Sequence, residues 1–138
     1  RYDASYGNLL TGDGKGNFKN EKFSESGFLV KGDSKALAKL TGAKGNTIML
    51  VTKNNGALEA FKARHRSGEP LRVESMDASA LINFSDGRKR KVELHYGSTY
   101  LSHSDRVLMV PESAESVVIT SFSGQQRTIA LQNVLTKK

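Results

Sequence analysis

Short apolar stretches separated by glycine-rich polar turns run along almost the whole chain, the pattern of antiparallel strands that meander. The clearest signal is residues 47–63. Thr47-Ile48-Met49-Leu50-Val51-Thr52 is β-branched and apolar, Asn54-Asn55-Gly56 tolerates positive φ, and residues 57–62 alternate. A hairpin is predicted there, its first strand covered on both faces and its return strand nearer an edge. Asn8-Leu9-Leu10 runs into the glycine-rich stretch at 12–17, and Phe18 reopens the apolar pattern, which predicts a second hairpin. Residues 34–40 carry helix formers, but seven residues barely make two turns, and a strand is expected.

Residues 64–70, Arg-His-Arg-Ser-Gly-Glu-Pro, break the pattern and form the best candidate linker. Beyond it, six strands are expected, near 71–74, 80–84, 88–96, 107–110, 117–120 and 127–131, with a Ser85-Asp86-Gly87 turn between the second and third. Six short strands suit a compact sandwich or barrel. The fold class is therefore all-β.

Size limits the organisation further. A chain of 138 residues holds one ordinary domain or two very small ones. Its longest apolar runs are strand-sized, far short of the roughly 20 residues of a membrane-crossing helix, so no transmembrane helix is expected. There is no cysteine, which removes disulfides, thiolate metal sites and a cysteine nucleophile. The net charge is +7, but residues 1–68 hold 12 Lys/Arg against 6 Asp/Glu and residues 69–138 hold 9 against 8. The excess is spread singly among polar residues of the first half, which argues against a nucleic-acid partner.

Two stretches carry a resemblance. Gly12-Asp13-Gly14-Lys15-Gly16-Asn17-Phe18 resembles the strand-turn-strand signature of FG-GAP or VCBS repeats, and the run from Gly32-Asp33 through Leu50-Val51 to Asn55-Gly56-Ala57-Leu58 is similar to the first strands of a following blade. Asn83-Phe84-Ser85-Asp86-Gly87-Arg88, the 97–106 stretch with Tyr100-Leu101-Ser102-His103-Ser104-Asp105-Arg106, and Val117-Val118-Ile119 resemble the ASPIC/UnbV module. The resemblance implies partial β-propeller blades over 1–66, about one and a half of them, and a small β-sandwich or barrel-like module over 67–138. It also implies a secreted or cell-surface protein of bacterial outer-membrane type, non-enzymatic, that binds a protein or glycan. Its partners would be the remainder of a longer polypeptide or other subunits of a surface complex, because blades bury their faces against neighbours. The alternative is an accessory domain of a glycan-active enzyme.

Candidate chemistry is sparse. The FG-GAP likeness suggests calcium at Asp13 and Asn17, but Lys15 stands between them and no further acid closes the loop, so a structural turn is expected and no cofactor. His65, His95 and His103 lack ligand spacing. Adjacent His103, Ser104 and Asp105 would point to opposite faces of a strand and could not relay a proton. In the basic run 88–91, Arg88 and Arg90 should share one face and Lys89 and Lys91 the other, leaving at most a weak anionic contact. Tyr96, Tyr100 and Arg106 form the expected binding group, since amphipathic rings and a guanidinium suit sugars or protein partners.

Overall fold

The structure, a computed structural model, describes residues 6–97 and 102–131. It is all-β and antiparallel, with one short helix among the described residues. Strands β1 (Leu9–Gly12) and β2 (Phe18–Glu21) pair as a hairpin, followed by the four-residue helix α1 (Phe23–Ser26). Strands β3 (Ser34–Thr41), β4 (Thr47–Lys53) and β5 (Gly56–Lys62) form a three-stranded meander with β4 in the middle. The turn joining β4 to β5 places Asn55 at φ 50°, the left-handed conformation that asparagine tolerates. Residues 34–40 are a strand rather than a helix because pairing with β4 supplies backbone partners along their length.

The second half contains β6 (Glu69–Arg72), β7 (Asp77–Phe84), β8 (Lys89–Glu93), β9 (Val107–Val110), β10 (Ala114–Ser121) and β11 (Gln126–Ala130). They form a four-stranded sheet in the order β11-β10-β7-β8 and a two-stranded ribbon of β6 and β9. Ala80 and Ile82 of β7, Val117 and Ile119 of β10, and Leu108 and Val110 of β9 form one buried cluster, with Leu71 and Val73 packed against it. The ribbon therefore covers one face of the sheet, an open sandwich rather than a closed barrel. The expected linker is shorter than residues 64–70, since Glu69 and Pro70 already belong to β6. Pro70 is tolerated because β6 has a single neighbour among the described residues, and an edge strand can spare an N–H.

The two halves differ in burial. Among the described residues before β6, only Val30 and Val51 are buried hydrophobics, and neither belongs to the large cluster. The expectation that β4 is covered on both faces is corrected: Ile48, Met49 and Leu50 are only half-buried. Both edges of β4 are paired, but among the described residues its faces lack a full second layer.

The halves meet along the outer edge of β3. Asp105 N–H donates to the Lys39 carbonyl (2.9 Å), Lys39 N–H donates to Ser104 Oγ (2.9 Å), and Ser102 Oγ donates to the Leu37 carbonyl (2.7 Å). The Thr41 amide donates to Asp105 Oδ2, and Lys39 Nζ lies 3.6 Å from Asp105 Oδ1. Residues 102–105 thus lie along β3 and satisfy backbone groups that an open edge would leave to water. Asp105→Ala strips the Thr41 amide of its acceptor, and is expected to cost about 1–3 kcal/mol. Hydrogen exchange should show lost protection at Thr41 and Lys39, with the β7 and β10 amides kept.

Candidate binding site

The far end of the second-half sheet is where the topology gathers side chains of interest. Antiparallel pairing brings the start of β7 beside the ends of β8 and β10 and the start of β11, through Ser79↔Glu93, Ser121↔Asp77 and Thr120↔Gln126. Met76, Tyr96 and Phe122 lie just beyond these strand ends and are 58%, 55% and 60% exposed. The Phe122 amide donates to the Met76 carbonyl (2.9 Å), holding two of the three loops together.

Asp77 anchors this end. Only 1% exposed, its carboxylate accepts a two-pronged ion pair from Arg127, 2.5 Å to Oδ1 and 2.7 Å to Oδ2, and a bond from the Glu74 amide (2.7 Å). The Arg127 fork, helped by the Glu74 amide, lowers the Asp77 pKa below the ordinary aspartate value despite burial, which acts the other way. Arg127 also lies 3.3 Å from Glu74 Oε1.

Arg106 ties three segments together. Its Nη1 donates to the carbonyls of Glu74 (3.0 Å) and Ser75 (3.3 Å) and to Tyr96 Oη (2.6 Å). Its Nη2 donates to the carbonyls of Asp77 and Leu94, the latter at 3.2 Å. The guanidinium carbon sits 3.9 Å from the Tyr96 ring centroid, a cation–π contact. Tyr96 Oη in turn donates to the Ser75 carbonyl (2.9 Å), and the His103 ring lies parallel to Tyr96 at 6.1 Å between centroids. Four carbonyls and one ring occupy Arg106, so it positions Tyr96 rather than reaching for a ligand.

The structure thus brings together Tyr96 and Arg106 of the expected group, while Tyr100 lies outside the described residues. Arg88 is elsewhere, and Arg90 meets the group only through Arg106, with which it lines one cavity. Arg88 precedes β8, paired with Asp86 (2.6 Å) and lying 5.3 Å over the Phe84 ring. Arg90 lies within β8, on the face of its cross-strand partner Ile82, and donates to the Met109 carbonyl (3.3 Å).

His103, Ser104 and Asp105 serve three different backbone amides. His103 Nδ1 accepts from Gly97, Ser104 Oγ from Lys39 and Asp105 Oδ2 from Thr41. At the candidate calcium turn, Asp13 Oδ1 accepts the amides of Lys15 (2.7 Å) and Asn17 (3.1 Å), and Oδ2 accepts Asn17 Nδ2 (2.7 Å). Those bonds, the Asn17 side chain foremost, hold the Asp13 pKa below the ordinary aspartate value, and they use the carboxylate to shape the hairpin. No group of three or more potential metal-ligating His, Cys, Asp or Glu side chains occurs among the described residues.

Sequence reasoning missed Met76, Phe122 and the Asp77–Arg127 pair. The two partners are 50 positions apart, and only the β7-β10-β11 order makes them neighbours. Met76-Asp77 before an apolar strand was a readable turn signal, since aspartate bonds nearby amides readily. Comparisons with protein-family models, with curated proteins and with solved structures find no match to this chain.

Proposed function

We propose that this chain is a non-enzymatic binding and assembly module of a larger bacterial surface protein, combining the end of an FG-GAP-type propeller with an ASPIC/UnbV-like β-module. One observation supports the reading best: a largely apolar sheet face that no full layer covers among the described residues. The register of the meander puts Ala38, Leu40, Ile48, Leu50 and Ala60 on one side of β3-β4-β5, and the alternation of β5 adds Leu58, six apolar residues on a side that also carries the exposed Lys62 opposite Ile48. None of the six is buried, and Leu40 and Leu58 are 37% and 58% exposed. A sheet face of this composition loses free energy in water at about 25 cal/mol per Å² of apolar surface, so further polypeptide stacked over it is strongly favoured. The β1–β2 hairpin repeats the theme, with Leu9, Leu10 and Phe18 exposed.

The second-half sandwich has its own core and offers a separate, wetter surface. Around Tyr96, an exposed ring held flat by Arg106 suits stacking on a sugar face or a partner's apolar side chain. No helix among the described residues is long and apolar enough to cross a membrane.

The test is the state of the chain in isolation. It should associate or bind an apolar dye such as ANS, and Leu40→Lys combined with Leu58→Lys should suppress both while far-ultraviolet circular dichroism stays unchanged. Substitution at two exposed positions costs the fold about 0.5 kcal/mol or less each. A folded, dye-silent 15.1 kDa monomer of the unaltered chain would overturn the proposal.

A further inference from the structure

A second surface lies between β8 and β9, the facing edges of the two layers of the sandwich. The Leu94 amide donates to the Ala78 carbonyl and the Phe84 amide to the Arg88 carbonyl. Alternation between those two points turns the backbone groups of Arg90 and Val92 toward β7, and those of Lys89, Lys91 and Glu93 outward. Among the described residues β9 pairs with β6 alone, and its other edge carries no strand. Between the two edges is a cavity of about 400 Å³, floored by Val92, Leu94 and Leu108 and walled by Arg90, Lys39 and Arg106.

On the β9 side, side chains stand where a neighbouring strand would. Lys39 Nζ donates to the Val107 carbonyl (3.2 Å) and Arg90 Nη2 to the Met109 carbonyl (3.3 Å). Alternate carbonyls of one strand are thus capped by long cations. Arg90 has no ion-pair partner among the described residues; its register places it on the sandwich side of β8, with its side chain still exposed. Lys91 already pairs with Glu93, and Lys39 with Asp105. An inward-pointing charge on an edge strand repels neutral strands, which would bury it unpaired. A carboxylate entering the gap reverses that penalty.

We infer that the β8–β9 gap is a strand-acceptor site for an extended acidic peptide segment. The incoming strand would pair with the outward backbone groups of Lys89, Lys91 and Glu93, and one acidic side chain opposite Arg90 would take it from the Met109 carbonyl. Arg90, Val92 and Leu94 share one face of β8, so apolar side chains two and four residues along the incoming strand from the acidic one would lie on Val92, Leu94 and Leu108. Backbone pairing supplies affinity in such strand addition, and the alternate side chains supply selectivity. The inference is independent of what covers the β3-β4-β5 face.

The test uses a fluorescein-labelled peptide long enough to span β8, with aspartate and then valine at the successive same-face positions that meet Arg90, Val92 and Leu94 and threonine at the positions between, and binding is followed by anisotropy. The unaltered chain should bind it saturably, and methylation of alternate peptide nitrogens should weaken binding at least about tenfold, as loss of several backbone bonds requires. Arg90→Ala should weaken it by about tenfold, while Lys89→Ala, on the opposite face of the strand, should change it less than about twofold. Lack of saturable binding, equal binding of the methylated peptide, or indifference to Arg90→Ala would each overturn the strand-acceptor assignment. So would binding of a heparin-derived oligosaccharide at this groove without binding of the peptide. Because the Leu40 and Leu58 substitutions lie on the other sheet, a negative peptide result beside a positive association result removes this inference alone.

Discussion

Replacing Gly68 by alanine is expected to unhook β6 from β9 and to be among the most damaging single-methyl changes in the chain. Gly68 is buried at φ +142°, and a Cβ built there falls 2.1 Å from the Val110 carbonyl oxygen and 2.8 Å from the Pro111 nitrogen. Those are backbone atoms and cannot rotate away. The strands must separate at their first pair, Glu69↔Val110, which withdraws Leu71 and Val110 from the cluster over β7 and β10. Backbone strain and lost packing together should cost upward of about 3 kcal/mol, a large share of a small domain's roughly 5–15 kcal/mol. Gly124 supplies the comparison. It also has a positive φ, +85°, but a Cβ there meets nothing within 4 Å, so Gly124→Ala should cost only the left-handed strain of about 1–2 kcal/mol. Urea unfolding of both variants measures the difference, and equal midpoints would contradict the close approach at Gly68.

The second large effect is expected at Asp77. Asp77→Asn removes the charge from a buried carboxylate that holds the Arg127 fork and the Glu74 amide, and should destabilise the chain by about 2–3 kcal/mol at neutral pH. The lower end of the range for broken buried pairs applies because Arg127 is 38% exposed and can turn to water. The sign with pH follows from the lowered pKa. A carboxylate with a lower pKa folded than unfolded contributes its full stability above the unfolded value, about 3.9, and loses it as pH falls through the lowered folded value. The gap between the unaltered chain and Asp77→Asn should therefore hold steady from neutral pH down to about pH 5, then close on further acidification. Urea midpoints at several pH values measure it. A gap that persists unchanged at the acid end would show that Asp77 acts by shape rather than by charge. Arg106 also stands on the Asp77 carbonyl, so the same variant should disturb the Tyr96 environment, visible as a change in tyrosine near-ultraviolet dichroism.

The sheet that the first half exposes and the gap that the second half leaves share a cause. A three-stranded meander and a four-plus-two sandwich are both too small to close on themselves, and backbone edges and apolar faces are left over. The chain guards some of them with its own atoms. Residues 102–105 lie along β3, and Lys39 and Arg90 cap β9 carbonyls. Among the described residues the Leu40–Leu58 face has no full layer over it, which is the ground for proposing assembly there and peptide binding in the gap.

Much of the local structure was legible in the chain itself. The period-two alternation at 57–62, the β-branched run at 47–52 and the Asn54-Asn55-Gly56 and Ser85-Asp86-Gly87 turns determined two hairpins and the all-β class, because strand pleat and turn chemistry depend on neighbours only a few residues away. The aspartate-centred turn at 13–17 was legible for the same reason. Coverage was not. The apolar run of β4 looks the same whether its faces are stacked or bare, since hydrophobicity records a preference for burial and not its fulfilment. Only the tertiary arrangement decided that Arg106 is spent on the carbonyls of Glu74, Ser75, Asp77 and Leu94, that Asp77 meets Arg127, and that Arg88 and Arg90 lie away from Tyr96. Such encounters depend on strand order and on which layer folds over which, and long-range pairing of that kind leaves no short-range mark in the order of the residues.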